Sequence, residues 1–237
     1  MKVFAKSDIG KAREMNQDAY YASQPSDTVG LYIVADGMGG YNGGEIASEL
    51  AVTVTGAEVT LVYTVFKDYG AITRSVIVKN NSDKAFSIEA VHSLCVDLPS
   101  ADYEMIDLYG KWIKERSVGR HALHTGIQSI KSKRGSSSHN HNPFTALITK
   151  GATETYGECY GFNLVYSSNF SIDVEVDSFN CARVLMGINP ETFSWVLAPQ
   201  EEFYSPEAVM VYTNEGLGEM SRIFHRLYSN NLVRGEW

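Results

Sequence analysis

The chain has 237 residues, 44% of them hydrophobic, enough to build one large β domain or two small ones around a buried core. Its formal net charge of −8 makes nucleic acid and anionic membrane poor partners. No apolar run approaches the length of a membrane span, and Met1-Lys2 opens no signal-peptide pattern. Three cysteines, Cys95, Cys159 and Cys181, lie far apart and form no Cys-x-x-Cys pair. They are expected as buried reduced thiols in a cytoplasmic protein, so the sequons at Asn80 and Asn169 carry little weight.

Residues 1–55 read as strand, loop, strand, turn and helix. Leu31-Tyr32-Ile33-Val34-Ala35 is a short apolar run, as in a strand buried on both faces. It ends in Asp36-Gly37-Met38-Gly39-Gly40, where glycines permit a tight turn beside a ligand. Ile46, Ala47, Leu50 and Ala51 recur at helical spacing, and the pattern then switches at Val52-Thr53-Val54-Thr55 to β-branched alternation. The period change sets a domain junction near residue 55.

Beyond it, strands follow one another. Val59, Leu61, Tyr63 and Val65 alternate with Thr60, Val62 and Thr64; Ile72 to Val78 forms the next strand, closed by the turn-rich residues 79–84. Ile172-Asp173-Val174-Glu175-Val176-Asp177 has the cleanest period of two, with an apolar face and an acidic face expected in water. Val184-Leu185-Met186 and Ala208 to Tyr212 supply further strands. The polar segment Ser136 to Pro143 is expected as a loop. Leu217, Met220, Phe224, Leu227 and Tyr228 then fall at helical steps, predicting a helix over 215–231 with Asn214 as its cap. The fold class is therefore mainly β: a β-sandwich over about 56–212, preceded by a strand–turn–helix segment and followed by a terminal helix.

Two resemblances attach to these segments. Arg13-Glu14-Met15-Asn16-Gln17-Asp18 with Val34-Ala35-Asp36-Gly37-Met38-Gly39-Gly40 resembles the N-terminus of bacterial type 2C serine/threonine phosphatases. That likeness implies Arg13 as phosphate binder, Asp36 as the bridge between two Mn²⁺ or Mg²⁺ ions, the Gly37 carbonyl as a further ligand, and Asp18 beside metal-bound water. The family's later carboxylate motifs have no counterpart here; Thr213-Asn214-Glu215-Gly216 puts Glu where Asp belongs. Hard divalent cations need several oxygen ligands, so the set is incomplete.

Residues 56–237 resemble the N-terminal β-supersandwich domain of glycoside hydrolase family 36 α-galactosidases. The residues that carry this are Tyr63 to Tyr69, Ile72 to Ser75, Asp97 to Tyr103, Arg134 to Phe144, Tyr160 to Phe170, Gly187 to Pro190, and Leu227-Tyr228 with Arg234 to Trp237. The likeness implies a domain that packs on a catalytic barrel whose two aspartates lie beyond Trp237. It implies no cofactor, and a homo-oligomer with a barrel domain or like subunits as partners and a galactoside as possible ligand. His139, His141 and Trp237 are the residues it points to for domain or subunit contact. A metal site at His139 and His141 lacks a third ligand of standard spacing. Asp102, Glu104, Asp173 and Glu175 are expected as solvated surface acids, and Trp112 and Trp195 as buried or domain-facing aromatics rather than sugar platforms. The expectation is a non-catalytic carbohydrate-enzyme domain in a chimeric chain; the rivals are a metal-dependent phosphatase and a carbohydrate- or protein-binding β module.

Overall fold

A computed structural model describes residues 19–23, 30–35, 56–233 and 235, with side chains from residue 56 onward. The chain divides into two compact units: one of residues to Thr64 with Ser75–Glu89 and Ser194–Tyr204, the other of Val65–Arg74, Ala90–Phe193 and Ser205 onward. Among the described residues no helix is long and apolar enough to cross a membrane.

In the first unit, β1 (Ala19–Ser23) and β2 (Gly30–Ala35) pair antiparallel, and β2 pairs with β3 (Ala57–Phe66) at Gly30↔Tyr63 and Leu31↔Val62. The apolar run at 31–35 is thus a strand, as its pattern predicts. β4 (Ala71–Asn80) supplies residues to both units, and its second half pairs with β15 (Glu202–Tyr204). β5 (Phe86–Ile88) pairs with β14 (Trp195–Leu197). Asn80 organises the turn read at 79–84: its fully buried amide donates to the carbonyls of Lys84 and Leu197, 2.9 Å each, and accepts from Ser82. Such a side chain is closed to glycosylation. Trp195 is half exposed against Phe203, not buried.

The second unit is the sandwich. One sheet runs β16 (Glu207–Thr213), β11 (Cys159–Val165), β10 (His141–Thr149), β7 (Tyr103–Lys111), β8 (Lys114–Ala122), with Ala71–Arg74 of β4 beside β16. The other runs β6 (His92–Leu98), β13 (Ala182–Ile188), β12 (Phe170–Val176), β9 (Gly126–Lys131). Leu147, Phe162, Leu164 and Met105 from the first sheet meet Phe170, Ile172, Val174, Val184 and Met186 from the second. Each such side chain contributes on the order of 1.5–3 kcal/mol by leaving water.

The first sheet is buried on its other face too. Ile106, Ala146, Ile148, Cys159, Val209 and Val211 pack under α1 (Gly216–Leu227), which presents Met220, Ile223, Phe224 and Leu227. This explains near-continuous apolar runs such as Ala146-Leu147-Ile148, since both faces need them. The helix is shorter than the 215–231 predicted, because its last turn widens into a π-helical turn at Tyr228–Leu232. Asn214 is not its cap. The first amides of Gly216, Leu217 and Gly218 donate, each at 3.0 Å, to the carbonyls of Gly157, Thr153 and Glu154, so a β10–β11 loop satisfies the helix start in place of a side chain.

Other expectations need correction. Only Cys159 is buried; Cys181 is partly exposed and Cys95 exposed, because Cys95 lies on the outward face of β6. Burial pushes the Cys159 thiol up to about 11. Strand β10 starts at His141, inside the segment read as loop. Trp112 is 78% exposed at a hairpin tip.

Candidate functional site

The candidate centre is the segment Lys133–Asn140 between β9 and β10, which carries His139 and leads into His141 at the start of β10. His139 and His141 are both exposed at its end. The segment is long and polar, yet it is tied down along its length. At its base, the Ser132 amide donates to Phe170 O and its hydroxyl to Ser136 O at 2.8 Å, while the buried Asn189 amide donates to Ser132 O at 3.0 Å. In the middle, Gly135 N donates to Asn169 Oδ1 at 2.7 Å, Ser168 Oγ returns a bond to Gly135 O, and Ser137 N reaches Ser167 O. At the far end, Asn140 N donates to Ser138 Oγ, and Gly110 N of β7 reaches Asn140 O. Buried and half-buried polar groups satisfied in this way hold a loop in one conformation.

A cleft of about 270 Å³ opens beside it, lined by Lys131, Ser132, Lys133, Arg134, Ser138, Asn140 and His141. Glu191 takes both lysines, and the Lys133 ammonium holds its carboxyl below the usual range. The surface is thus cationic at one end, with His141 on its rim and His139 exposed beside it.

The acids read from the sequence are mostly engaged by neighbours. Asp173 is not an open-water carboxylate: it is half-buried, accepts from Ser129 and lies 3.6 Å from Lys131, and Glu175 beside it is half-buried too. Glu104 accepts from Arg120 Nε at 3.0 Å and from Gly151 N; Arg120 first, then Gly151, holds it below its ordinary value. Asp97 is held down by a forked bond from Arg183, at 2.6 and 2.8 Å. Every carboxyl shift resolved among the described residues runs downward, each with an Arg or Lys partner as its first cause. Asp102 faces only Lys150.

Sequence reasoning missed one pair: His121 Nε2 lies 2.9 Å from the buried Asp107, across Gly119, where a Cβ would stand 2.1 Å from the carboxylate. Nothing in the spacing of β7 and β8 announces this before their register is known. Arg13, Asp18, Asp36, Gly37 and Trp237 lie outside the described residues, so the Mn²⁺ or Mg²⁺ site read there has no described ligand. Among the described residues no group of three or more His, Cys, Asp or Glu is placed to hold a metal ion.

Sandwich, docked helix and pinned loop together define a β-sandwich domain with one terminal helix. Residues 37–198 match the glycosyl hydrolase family 36 N-terminal domain, and the chain belongs to that family. It is 48% identical over 186 residues to the α-galactosidase AgaA of Geobacillus stearothermophilus, covering 78% of this chain and 26% of that protein. α-Galactosidase C of Emericella nidulans is 45% identical over 177 residues, 75% of this chain and 24% of its own. The crystal structure of AgaB from Geobacillus stearothermophilus superposes with a TM-score of 0.78 at 39% identity, covering 92% of this chain and 30% of that one. The chain therefore spans about a quarter of the curated relatives it matches. The match takes in residues 37–55 as well as the sandwich.

Proposed function

We propose that this chain serves as the non-catalytic N-terminal domain of an α-galactosidase-type enzyme. It docks a catalytic barrel, and like subunits, through the pinned loop that displays His139 and His141, with Trp237 as the further contact residue the family resemblance points to. The observation that carries the reading is the loop itself: a polar, exposed segment fixed by the buried Asn189 and half-buried Asn169 amides on a domain whose relatives are α-galactosidases. Galactosides are the substrate class of the assembly; a variant of the relative AgaA has been solved with raffinose. Free cysteines, Cys95 exposed among them, suit a reducing, cytoplasmic setting.

The test pairs this chain with the AgaA enzyme deprived of its own N-terminal domain, reading nitrophenyl α-galactoside hydrolysis. This chain alone should show no turnover, and adding it should raise the activity of the truncated enzyme. His139→Ala with His141→Ala should weaken that effect about tenfold in apparent affinity. Turnover by the chain alone, or an unchanged effect in the double variant, would sink the reading.

The phosphatase-like character of residues 1–55 stands as a separate proposal on its motifs alone. Mn²⁺-stimulated hydrolysis of p-nitrophenyl phosphate that disappears in Asp36→Asn would support it.

A further inference from the structure

β8 and β9 are the edge strands of the two sheets, and the chain turns from one to the other at residues 123–125. A cleft of about 610 Å³ opens at that corner, with Met105, Asp107 and Ile130 in its floor and His121, His124 and Gln128 around it. That is the size of a small-ligand pocket. Asp107 lies on the same face of β7 as the core residue Met105 and is only 8% exposed. Burying a carboxylate is costly unless it is paired. The chain makes room for a pair by setting Gly119 opposite it. Gly119 has no positive φ, so only its missing side chain is used: a Cβ would stand 2.1 Å from Asp107 Oδ1 and 2.7 Å from His121 Nε2. A glycine inside a strand weakens it. The Asp107–His121 bond joins two strands that the β7–β8 ladder joins already, and it leaves the His121 side chain 63% exposed. The arrangement thus costs stability without tightening the core.

The hydrogen bonds fix the tautomer of both imidazoles. A carboxylate accepts, so His121 Nε2 carries the hydrogen shared with Asp107 Oδ1 at 2.9 Å, and Nδ1 of the neutral ring keeps a lone pair. His124 Nδ1 lies 3.1 Å from the Thr125 carbonyl, which also accepts, so there the lone pair is on Nε2. Gln128 holds the corner in place. Its Oε1 accepts from His124 N at 3.0 Å, and its Nε2 donates to the carbonyls of His124, Gly126 and Val174 at 3.0, 2.9 and 3.3 Å. The Gln128 amide is therefore used up, and the Arg120 guanidinium is occupied by Glu104 and the Ala152 carbonyl. Asp107 Oδ2 has no partner among the described residues. What the cleft offers is three acceptors: one carboxylate oxygen and two imidazole nitrogens.

Such a cleft takes a ligand that donates. A metal ion does not fit, because among the described residues no three His, Cys, Asp or Glu are placed to hold one. An ammonium group would meet the Arg120 guanidinium on the same wall. A neutral ligand with several hydroxyls and an apolar C–H face matches both the acceptors and the Met105 and Ile130 side chains beneath them. We propose that this cleft binds a neutral saccharide, whose hydroxyls donate to Asp107 Oδ2, His121 Nδ1 and His124 Nε2. Asp107 also orients His121, and Gln128 positions His124. The inference goes beyond docking through the 133–140 loop and does not rest on it.

Nuclear magnetic resonance of the imidazole Cε1–H signals reads this directly, with the full chain at about pH 8, where an ordinary imidazole is neutral. The probes are D-galactose, D-glucose and raffinose. Of the six histidines, His121 and His124 should shift saturably with at least one sugar, while His139 and His141 stay in place. The expected Kd is about 1–10 mM, since the site offers few hydrogen bonds and no aromatic platform. His124→Ala changes an exposed ring that bonds only its neighbour's carbonyl, so it should keep the thermal midpoint. It should weaken binding about fivefold or more, read from the His121 signal; His121→Ala, read from His124, should do the same. Ammonium chloride should move neither signal. Three results would overturn the inference: no shift of His121 and His124 with any of the sugars up to about 100 mM, equal shifts of all six histidines, or unchanged affinity in His124→Ala. A response to ammonium without one to sugar would make the cleft a cation site and overturn it too. The docking reading is scored separately, by activation of the truncated α-galactosidase, in which His124→Ala should match the wild type.

Discussion

His92, on β6, lies opposite Gly187 of β13. Burial holds its pKa below the ordinary value; the charge of Asp173 opposes this and that of Arg74 adds to it. Its Nδ1 is buried without a hydrogen-bond partner. The folded chain therefore takes up the His92 proton less readily than the unfolded chain. Between the folded and the unfolded pKa the unfolded state binds more protons, so stability rises with pH there. The contribution is complete above the ordinary histidine value of about 6.5 and is lost as pH falls through it. Urea midpoints measured from about pH 5 to 7 should slope upward in the wild type and flatten in His92→Leu. Equal slopes would show that the imidazole titrates freely. Asp97 and Glu104 are shifted down and lose their contribution only at more acid pH, outside this window. None of this is legible in the sequence. His92 reads as one more polar residue in an alternating strand, and Asp173 as one acid on a wet face, until the register of β9, β12, β13 and β6 brings Ser129, Lys131 and His92 beside them.

Period-two alternation marks the strands at 57–66, 71–80 and 170–176, and the continuous apolar run at 208–212 marks the strand at 207–213; those expectations match the structure closely. The helix was legible in the same way, at a period of 3.6. Its ends were not, because the groups that finish it come from 60 residues away: the carbonyls of Thr153, Glu154 and Gly157 cap its start, and Tyr228 bonds Asn163 of β11 at its end. Where the helix meets the sheet, Gly161 is the seat. A Cβ there would stand 2.7 Å from Phe224 Cε2 and 2.8 Å from Met220 Sδ. The Phe224 ring is held edge-on to Phe144, centroids 5.8 Å apart, so it has little room to retreat. Gly161→Ala should therefore destabilise the fold by about 1–3 kcal/mol, as an overpacked core does. Met220→Ala opens space at the same point. In chemical denaturation the double variant should be more stable than the two single losses predict together, a coupling expected only of residues in contact. Strict additivity would mean that the helix does not rest on Gly161.

At the scale of the molecule, the family was legible because runs such as Arg134 to Phe144 and Tyr160 to Phe170 build the pinned loop and the doubly buried β11. The left-handed Ile113 at the hairpin tip and the Asp107–His121 pair were not, since each depends on the register of β7 against β8. The same registers predict how the chain opens. β11 pairs with β16 along its whole length, Cys159↔Thr213 to Val165↔Glu207, and sits between two buried faces. Among the described residues β2 pairs with β3 at Gly30↔Tyr63 and Leu31↔Val62. Short ladders open by local fluctuation, whereas strands buried on both faces exchange only when the whole unit unfolds. Hydrogen exchange followed by mass spectrometry should therefore label peptides across Ala19–Ser23 and Gly30–Ala35 well before those of Cys159–Val165 and Glu207–Thr213. Gly161→Ala should accelerate the slow class and leave the fast class unchanged, because it lowers the cost of global opening without touching the β2–β3 ladder. Equal protection of both classes would mean that the N-terminal strands open only with the sandwich, and residues 19–35 would then belong to its cooperative unit.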